Sequence, residues 1–332
     1  MSNSKQPRYL AGTTTKAILM LLTLVTGSVW AAEKWDMATA YSPKEYITSS
    51  YFVFARNVAK SSGGGLKIVV HPSGSLVKGA EIFSAVESGK VPMGEILIGA
   101  HAEKDPIFGI DTVPFLATDV DQAWKLYQVS KNELDYVLKE HNMKLLFTAV
   151  WPPQGLFTKT KLNSVADMNN VRFRAYDDGT ARLARLMGAI PTKIEAADVR
   201  QAFASGVAES MISSSATGVF QQMWDYVEYF YEGNAWYPKS VVVVNLDAWN
   251  SLDGITKEVL VDKAAEAEKS VWAAMVPANN SYKKTMTHNG IKVRPPSSKL
   301  RKEFKKIGET LSSEWAEAAG DRGKRIIADL DR

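Results

Sequence analysis

Short apolar runs of strand length alternate with segments of helical period along most of this 332-residue chain, and that alternation limits the fold more than any other feature. Residues 34–40 read as a strand that stops at Tyr41-Ser42-Pro43. Tyr46, Ser50 or Tyr51, Phe54 and Val58 then recur at helical spacing, and Gly63-Gly64-Gly65 ends that helix. Residues 66–71 alternate as a strand, and a short helix over 79–88 leads to a strand around 93–98. Residues 111–116 read as an irregular linker, 120–140 as a helix pair and 144–150 as a buried strand. Trp151-Pro152-Pro153-Gln154-Gly155 must break that strand, because proline supplies no ladder donor, so this is a stiff crossover between lobes. A second series follows: strand 171–175, helix 179–187, helix 196–205 closed by Gly206, strand 207–212 and helix 219–227. The run Val241-Val242-Val243-Val244-Asn245 has the all-apolar character of a fully buried strand and reads as the return to the first lobe. Helices are expected over 256–284, 298–311 and 312–329. The fold class is α/β, in two wound lobes.

The N-terminus argues for export. A basic stretch ending at Lys16 precedes an apolar run over 17–30, and Val29 and Ala31 suit cleavage after small residues, giving a signal peptide over 1–31. The run is about 14 residues, short of the roughly 20 that span a bilayer, and no later segment approaches that length. Without Lys5, Arg8 and Lys16 the 40 basic residues fall to 37 against 36 acidic ones. A nearly neutral mature chain carries no nucleic-acid footprint and no polybasic membrane patch. The basic run over 299–306 reads as the solvated face of an amphipathic helix with Leu300 and Phe304 turned inward.

Catalytic motifs are missing from the sequence. There is no cysteine, so disulfides, thiolate nucleophiles and cysteine-ligated metals are excluded. His71, His101, His141 and His288 stand at no metal-ligand spacing, and no nucleophile elbow or phosphate loop occurs. Ser213-Ser214-Ser215 has no base nearby in sequence. The expectation is therefore a non-enzymatic protein without cofactor or metal.

Four segments in order carry a resemblance. They are Phe54-Ala55-Arg56-Asn57-Val58 with its glycine turn and the following His71-Pro72-Ser73-Gly74-Ser75-Leu76; Val113-Pro114-Phe115-Leu116; residues 165–174, ending in Val171-Arg172-Phe173-Arg174; and Ile190-Pro191 through Gln201-Ala202-Phe203-Ala204-Ser205-Gly206-Val207. Together the set resembles the substrate-binding subunits of tripartite ATP-independent periplasmic (TRAP) transporters. The resemblance implies a periplasmic binding protein-like fold: two α/β lobes joined by crossover strands and a long helix, with the ligand cleft between them. It divides the mature chain into lobe I (32–152), lobe II (153–243) and a shared segment (244–332). It also implies capture of a small organic acid and delivery to one small and one large membrane subunit. A receptor for another transporter or sensor, or an exported enzyme on the same scaffold, are the alternatives. Asn170 replaces the family's usual glycine, and residues 207–215 depart from its pattern.

By the resemblance, Arg174 falls on the family's ligand arginine. The residues agree: Arg172 and Arg174 alternate with Val171 and Phe173 and so share one face of a strand. A planar guanidinium can grip a carboxylate through two parallel hydrogen bonds. Ligands of open α/β sheets bind beyond the carboxyl ends of strands, which points to Tyr41, Glu95, Trp151, Gln154, Arg174, Ser213, Ser214, Trp236 and Asn245 as pocket candidates.

Overall fold

The computed structural model describes residues 1–6 and 33–330, so the expected signal-peptide core and its cleavage site lie outside the described residues. In chain order the elements are β1 Glu33–Ala38, α1 Tyr46–Ser61, β2 Leu66–His71, α2 Ile82–Glu87, β3 Met93–Leu97, α3 Val120–Glu140, β4 Met143–Val150 and β5 Gly155–Thr158. They continue with β6 Arg172–Ala175, α4 Asp178–Leu186, β7 Ile190–Lys193, α5 Val199–Ala204, β8 Ser210–Ser213, α6 Ser215–Phe220 and β9 Tyr229–Tyr231. The last are β10 Lys239–Asn245, α7 Leu246–Ser251, α8 Gly254–His288, β11 Lys292–Arg294 and α9 Ser298–Leu330.

Two sheets organise these elements. The first has the order β2-β1-β3-β10-β4, the second β11-β9-β5-β8-β6-β7. In the first, β1 runs parallel to β2 and β3, while β10 is antiparallel to both β3 and β4. In the second, β6 is parallel to β7 and β8, and β5 is antiparallel to β8 and β9. All seven residues of β10 are buried, because it is a central strand with helices over both faces, and this is why it tolerates four consecutive valines. Helix α1 turns Ile47, Tyr51, Phe54 and Val58 into the first core and stops at Gly63 and Gly64, whose φ of 60° and 85° a side chain would resist.

The chain leaves the first sheet through residues 151–154 and returns through 232–238, and the two crossings are hydrogen-bonded to each other. Trp151 N–H donates to Pro238 O at 2.8 Å and Gln154 N–H to Trp236 O at 3.0 Å. The return therefore completes at Lys239, inside the stretch expected to belong to lobe II. A buried ion pair pins it there: Lys239 Nζ lies 3.4 Å from Asp111 Oδ2, which also accepts from the Lys239 backbone N–H. Helix α8 provides a third link, packing on α1 and β4 at one end and on α6 and β11 toward the other.

Several local expectations change. Residues 120–140 form one continuous helix rather than a pair, since nothing in that stretch breaks it and Asp119 caps it by accepting from Gln122 N–H. The C-terminal break falls at Gly320 (φ 59°, ψ −140°) and not near residue 312. The helix expected over 219–227 begins earlier, at Ser215, because Ser214 serves as its cap. Ile190–Lys193, read only as an Ile-Pro segment, is an edge strand, where proline costs no ladder bond. Asn170, in the place of the family's glycine, has φ 60°, a conformation that asparagine reaches more readily than other side chains.

Candidate functional site

The parallel strands β1, β3, β6 and β8 aim their carboxyl ends at the space between the two sheets. Beyond β1 come Thr39, Ala40 and Tyr41; β3 carries Glu95; β6 carries Arg174 and runs into Tyr176 and Asp177; β8 ends at Ser213. A cleft of about 340 Å³ is bounded by Tyr41, Glu95, Arg174, Tyr176, Asp177 and Glu195, among others. A smaller recess of about 50 Å³ shares Tyr41, Arg174 and Tyr176 with it and adds Trp151, Gln154, Ser213 and Ser214. Side chains from both sheets and from the first crossover thus meet in one depression.

Arg174 is its electrostatic centre. The side chain is 3% exposed, its Nε–H donates to Ile194 O at 2.9 Å, and its guanidinium lies over the Tyr176 ring, 5.3 Å from the centroid. Among the described residues it has no ion-pair partner, and its two terminal nitrogens make no hydrogen bond. Burial lowers its pKa, because the charged form loses its hydration. Tyr176 is held in place by Trp236, whose indole N–H donates to the Tyr176 hydroxyl at 2.9 Å.

Glu95, Asp177 and Glu195 line the cleft with this cation, and Glu45 lies behind Glu95. Glu95 is 1% exposed; its Oε2 accepts from Thr39 Oγ1 at 2.8 Å, and its Oε1 is buried without a partner. Burial pushes its pKa up to about 7, against the Thr39 hydrogen bond and the nearby donors Ser240 and Ala40 N–H, which favour the charged form. Behind it Glu45 is pushed up to about 8, by burial first and by the Glu95 charge second, and it too has an unpartnered oxygen. Asp177 caps α4: its Oδ1 accepts from Thr180 N–H at 2.7 Å, while Oδ2 is buried and unpartnered. Burial raises it to about 6, moderated by its bonds to Thr180 and by the Arg174 charge.

The remaining candidates separate clearly. Tyr41 and Trp151 form an aromatic pair with centroids 4.5 Å apart at the mouth of the recess. Trp151 Nε1–H donates to Ser240 Oγ at 3.0 Å, and Gln154 Nε2–H donates to Pro152 O at 3.0 Å. Ser213 and Ser214 line the recess while bonding Thr217, Ser214 as the cap of α6. Trp236 does not line the cleft; it stands behind Tyr176. Asn245 is elsewhere: its Oδ1 accepts from Asp247 and Ala248 N–H to cap α7, and its Nδ2 donates to Val86 O. The strand-end rule misdirects here because β10 is antiparallel to β3, so its carboxyl end lies beside Met93 and its amino end, Lys239 and Ser240, lies nearer the cleft. Tyr176, Asp177 and Glu45 were not singled out from sequence. The reciprocal Asp177–Thr180 cap just past the Arg174 strand is a signal that could have found the first two.

With this geometry in view, comparison with known proteins decides the family. Residues 37–318 match the family model described as bacterial extracellular solute-binding protein, family 7. The chain belongs to this family. An extracytoplasmic solute receptor of Bordetella pertussis that binds pyroglutamic acid is 36% identical and superposes with a TM-score of 0.88, covering 90% of this chain and 99% of that one. A TRAP solute-binding protein from a marine metagenome, specific for pyroglutamate, is 35% identical with a TM-score of 0.89 and the same coverage. A monocarboxylate 2-oxoacid-binding periplasmic protein of Nostoc sp. is 23% identical over 317 residues, 92% of this chain and 86% of its own length. The four segments that carried the resemblance all fall inside the matched region, and the two-sheet architecture is that of the TRAP solute receptors. Among the described residues no helix is long and apolar enough to cross a membrane, and no cluster of three or more histidine or acidic side chains could hold a metal ion.

Proposed function

We propose that this family 7 receptor works in the periplasm, after loss of a signal peptide ending at Ala31, where it captures a small organic acid of the pyroglutamate class. It hands that acid, chemically unchanged, to the small and large membrane subunits of a TRAP transporter. Arg174 carries the reading. A buried guanidinium without an acidic partner is costly by several kcal/mol, and an arriving carboxylate offsets that cost through two parallel charge-assisted hydrogen bonds. The Tyr41–Trp151 pair offers an apolar wall to the carbon skeleton, and the hydroxyls of Ser213 and Ser214 offer polar contacts. Pyroglutamate is favoured because two relatives near 35% identity over nearly their whole length are named for it. Both crossings and α8 join the lobes, so bending at residues 151–154 and 232–238 would close the cleft over the ligand and present one closed shape to the membrane subunits.

The test is a thermal-shift screen of the mature protein against L-pyroglutamate and panels of 2-oxo, hydroxy, aromatic and dicarboxylic acids, with recovery of the ligand afterwards. A ligand at a hundredfold excess over Kd stabilises the native state by about 2.7 kcal/mol. Stabilisation by the lactam acid, with the ligand recovered intact, is the expected result. No stabilisation by any carboxylate removes the proposal, and a chemically altered ligand would make the protein an enzyme.

A further inference from the structure

We infer that Glu95 sets the chemistry of the ligand: the acid anchored by Arg174 must present an N–H or O–H donor to the Glu95 carboxyl, so donor-bearing acids are accepted and donor-less isosteres refused. The inference rests on Arg174 as the carboxylate anchor. Its basis is the orphaned Oε1 of Glu95, buried, without a partner and at the wall of the cleft. Leaving such an atom unpaired is expensive, and native proteins seldom do so without a functional reason. The groups around the carboxyl are donors, Thr39 Oγ1 at 2.8 Å being the clearest, so the carboxyl is arranged as an acceptor and its Oε1 is left over.

Asp177 also holds an unpartnered oxygen at the cleft, but it caps α4 just past the strand that carries Arg174, three residues along, and is electrostatically tied to it, so it belongs to the Arg174 side of the cleft. Glu95 stands on the other sheet. A ligand gripped by Arg174 on one side and by Glu95 on the other therefore links the two sheets, so donor recognition and closure become the same event. A 2-oxo acid or a lactone brings only acceptors toward Glu95, and acceptor facing acceptor in a buried site is repulsive.

The experiment is calorimetric titration of the mature protein with L-pyroglutamate and with 5-oxotetrahydrofuran-2-carboxylate, the lactone in which ring oxygen replaces N–H. The wild type is expected to prefer the lactam by roughly a hundredfold or more, since a site built around a hydrogen bond rejects the analogue that lacks it. In Glu95→Gln the amide can donate as well as accept, and the preference should fall below about tenfold. Glu95→Met, of similar length and unable to accept, serves if the glutamine variant folds poorly. Lactam affinity should also weaken from pH 7.5 to 5.5, because the ionised carboxylate is the stronger acceptor and the pKa of Glu95 stands at about 7. Tyr41, Glu45 and Tyr51 face it, and His101, Asp177 and Glu195 line the same cleft; both tyrosines titrate well above that window, so the part of the pH dependence that Glu95→Gln abolishes is that of Glu95, and what is left belongs to the other acidic groups and His101. Equal binding of lactam and lactone, an unchanged preference in both variants, or tighter lactam binding at pH 5.5 overturns the role of Glu95 and leaves carboxylate capture standing. Absence of binding to either probe, or undiminished binding by Arg174→Ala, overturns carboxylate capture of this class and the inference with it.

Discussion

Replacing Arg174 by methionine should separate binding from stability, because the two respond with opposite signs. In the complex, the variant leaves a ligand carboxylate buried without its cation, a loss of about 3–5 kcal/mol. At about 1.4 kcal/mol per decade this is roughly a hundredfold to several thousandfold in Kd. In the free protein the balance differs. The variant loses the Nε–H bond to Ile194 O, about 1 kcal/mol, and the contact with the Tyr176 ring, about 0.5–1 kcal/mol. Against that it removes a buried cation with no direct ion pair among the described residues, whose desolvation outweighs the longer-range attraction of Asp177 and Glu195. The ligand-free variant should therefore melt no lower than wild type and up to a few degrees higher, at about 2 °C per kcal/mol for a chain of this size. Melting curves with and without L-pyroglutamate, together with isothermal titration, read both quantities. If the variant melts well below wild type while its affinity stays within about threefold, Arg174 is a structural ion and the anchor argument is wrong.

Three further perturbations follow from single contacts. Glu45 is raised to about 8 by burial, so its ionisation opposes folding; stability is full below pH 4.5 and is lost as pH rises toward 8. Glu45→Gln should gain on wild type by a few kcal/mol between pH 5 and 8 in denaturant titrations, and parallel curves for the two proteins would refute the shift. A Cβ at Gly155 would stand 2.4 Å from Phe230 Cζ and 2.6 Å from Tyr231 O, so Gly155→Ala should cost about 1–3 kcal/mol by chemical denaturation; a neutral result would show that β5 and β9 can slide apart. Trp236→Phe removes the donor to the Tyr176 hydroxyl and should weaken ligand binding up to about tenfold while costing about 1–2 kcal/mol of stability. Unchanged affinity there would mean that Tyr176 needs no support from behind.

Much of the architecture could be read in the chain because it is written in local periodicity. The helical spacing of Tyr51, Phe54 and Val58, the glycine stop after it, the proline break at 152–153 and the valine run of β10 each report a local steric or burial requirement. Arg174 was legible for a related reason: a charged residue alternating with apolar ones on a short strand must face something other than core, and the family signature said what. Boundaries were less legible, as at Gly320 and Ser214, because capping depends on which of several small or polar residues actually bends the backbone.

Strand direction and partnership lie beyond the reach of periodicity. A buried valine strand reads the same parallel or antiparallel, so nothing local to Asn245 says that it points away from the cleft while Lys239 and Ser240 begin at it. The same holds for orphaned groups. Glu45, Glu95 and Asp177 are ordinary acidic residues in the sequence, and only the packing of both sheets removes their water and leaves one oxygen of each unmatched. The sequence by itself determined the main element types and the two-lobed class and singled out Arg174 as the candidate anchor, since the elements follow from side-chain period along the chain. Tertiary structure alone decided which carboxyls share the cleft with Arg174, because desolvation is imposed by neighbours distant in the chain.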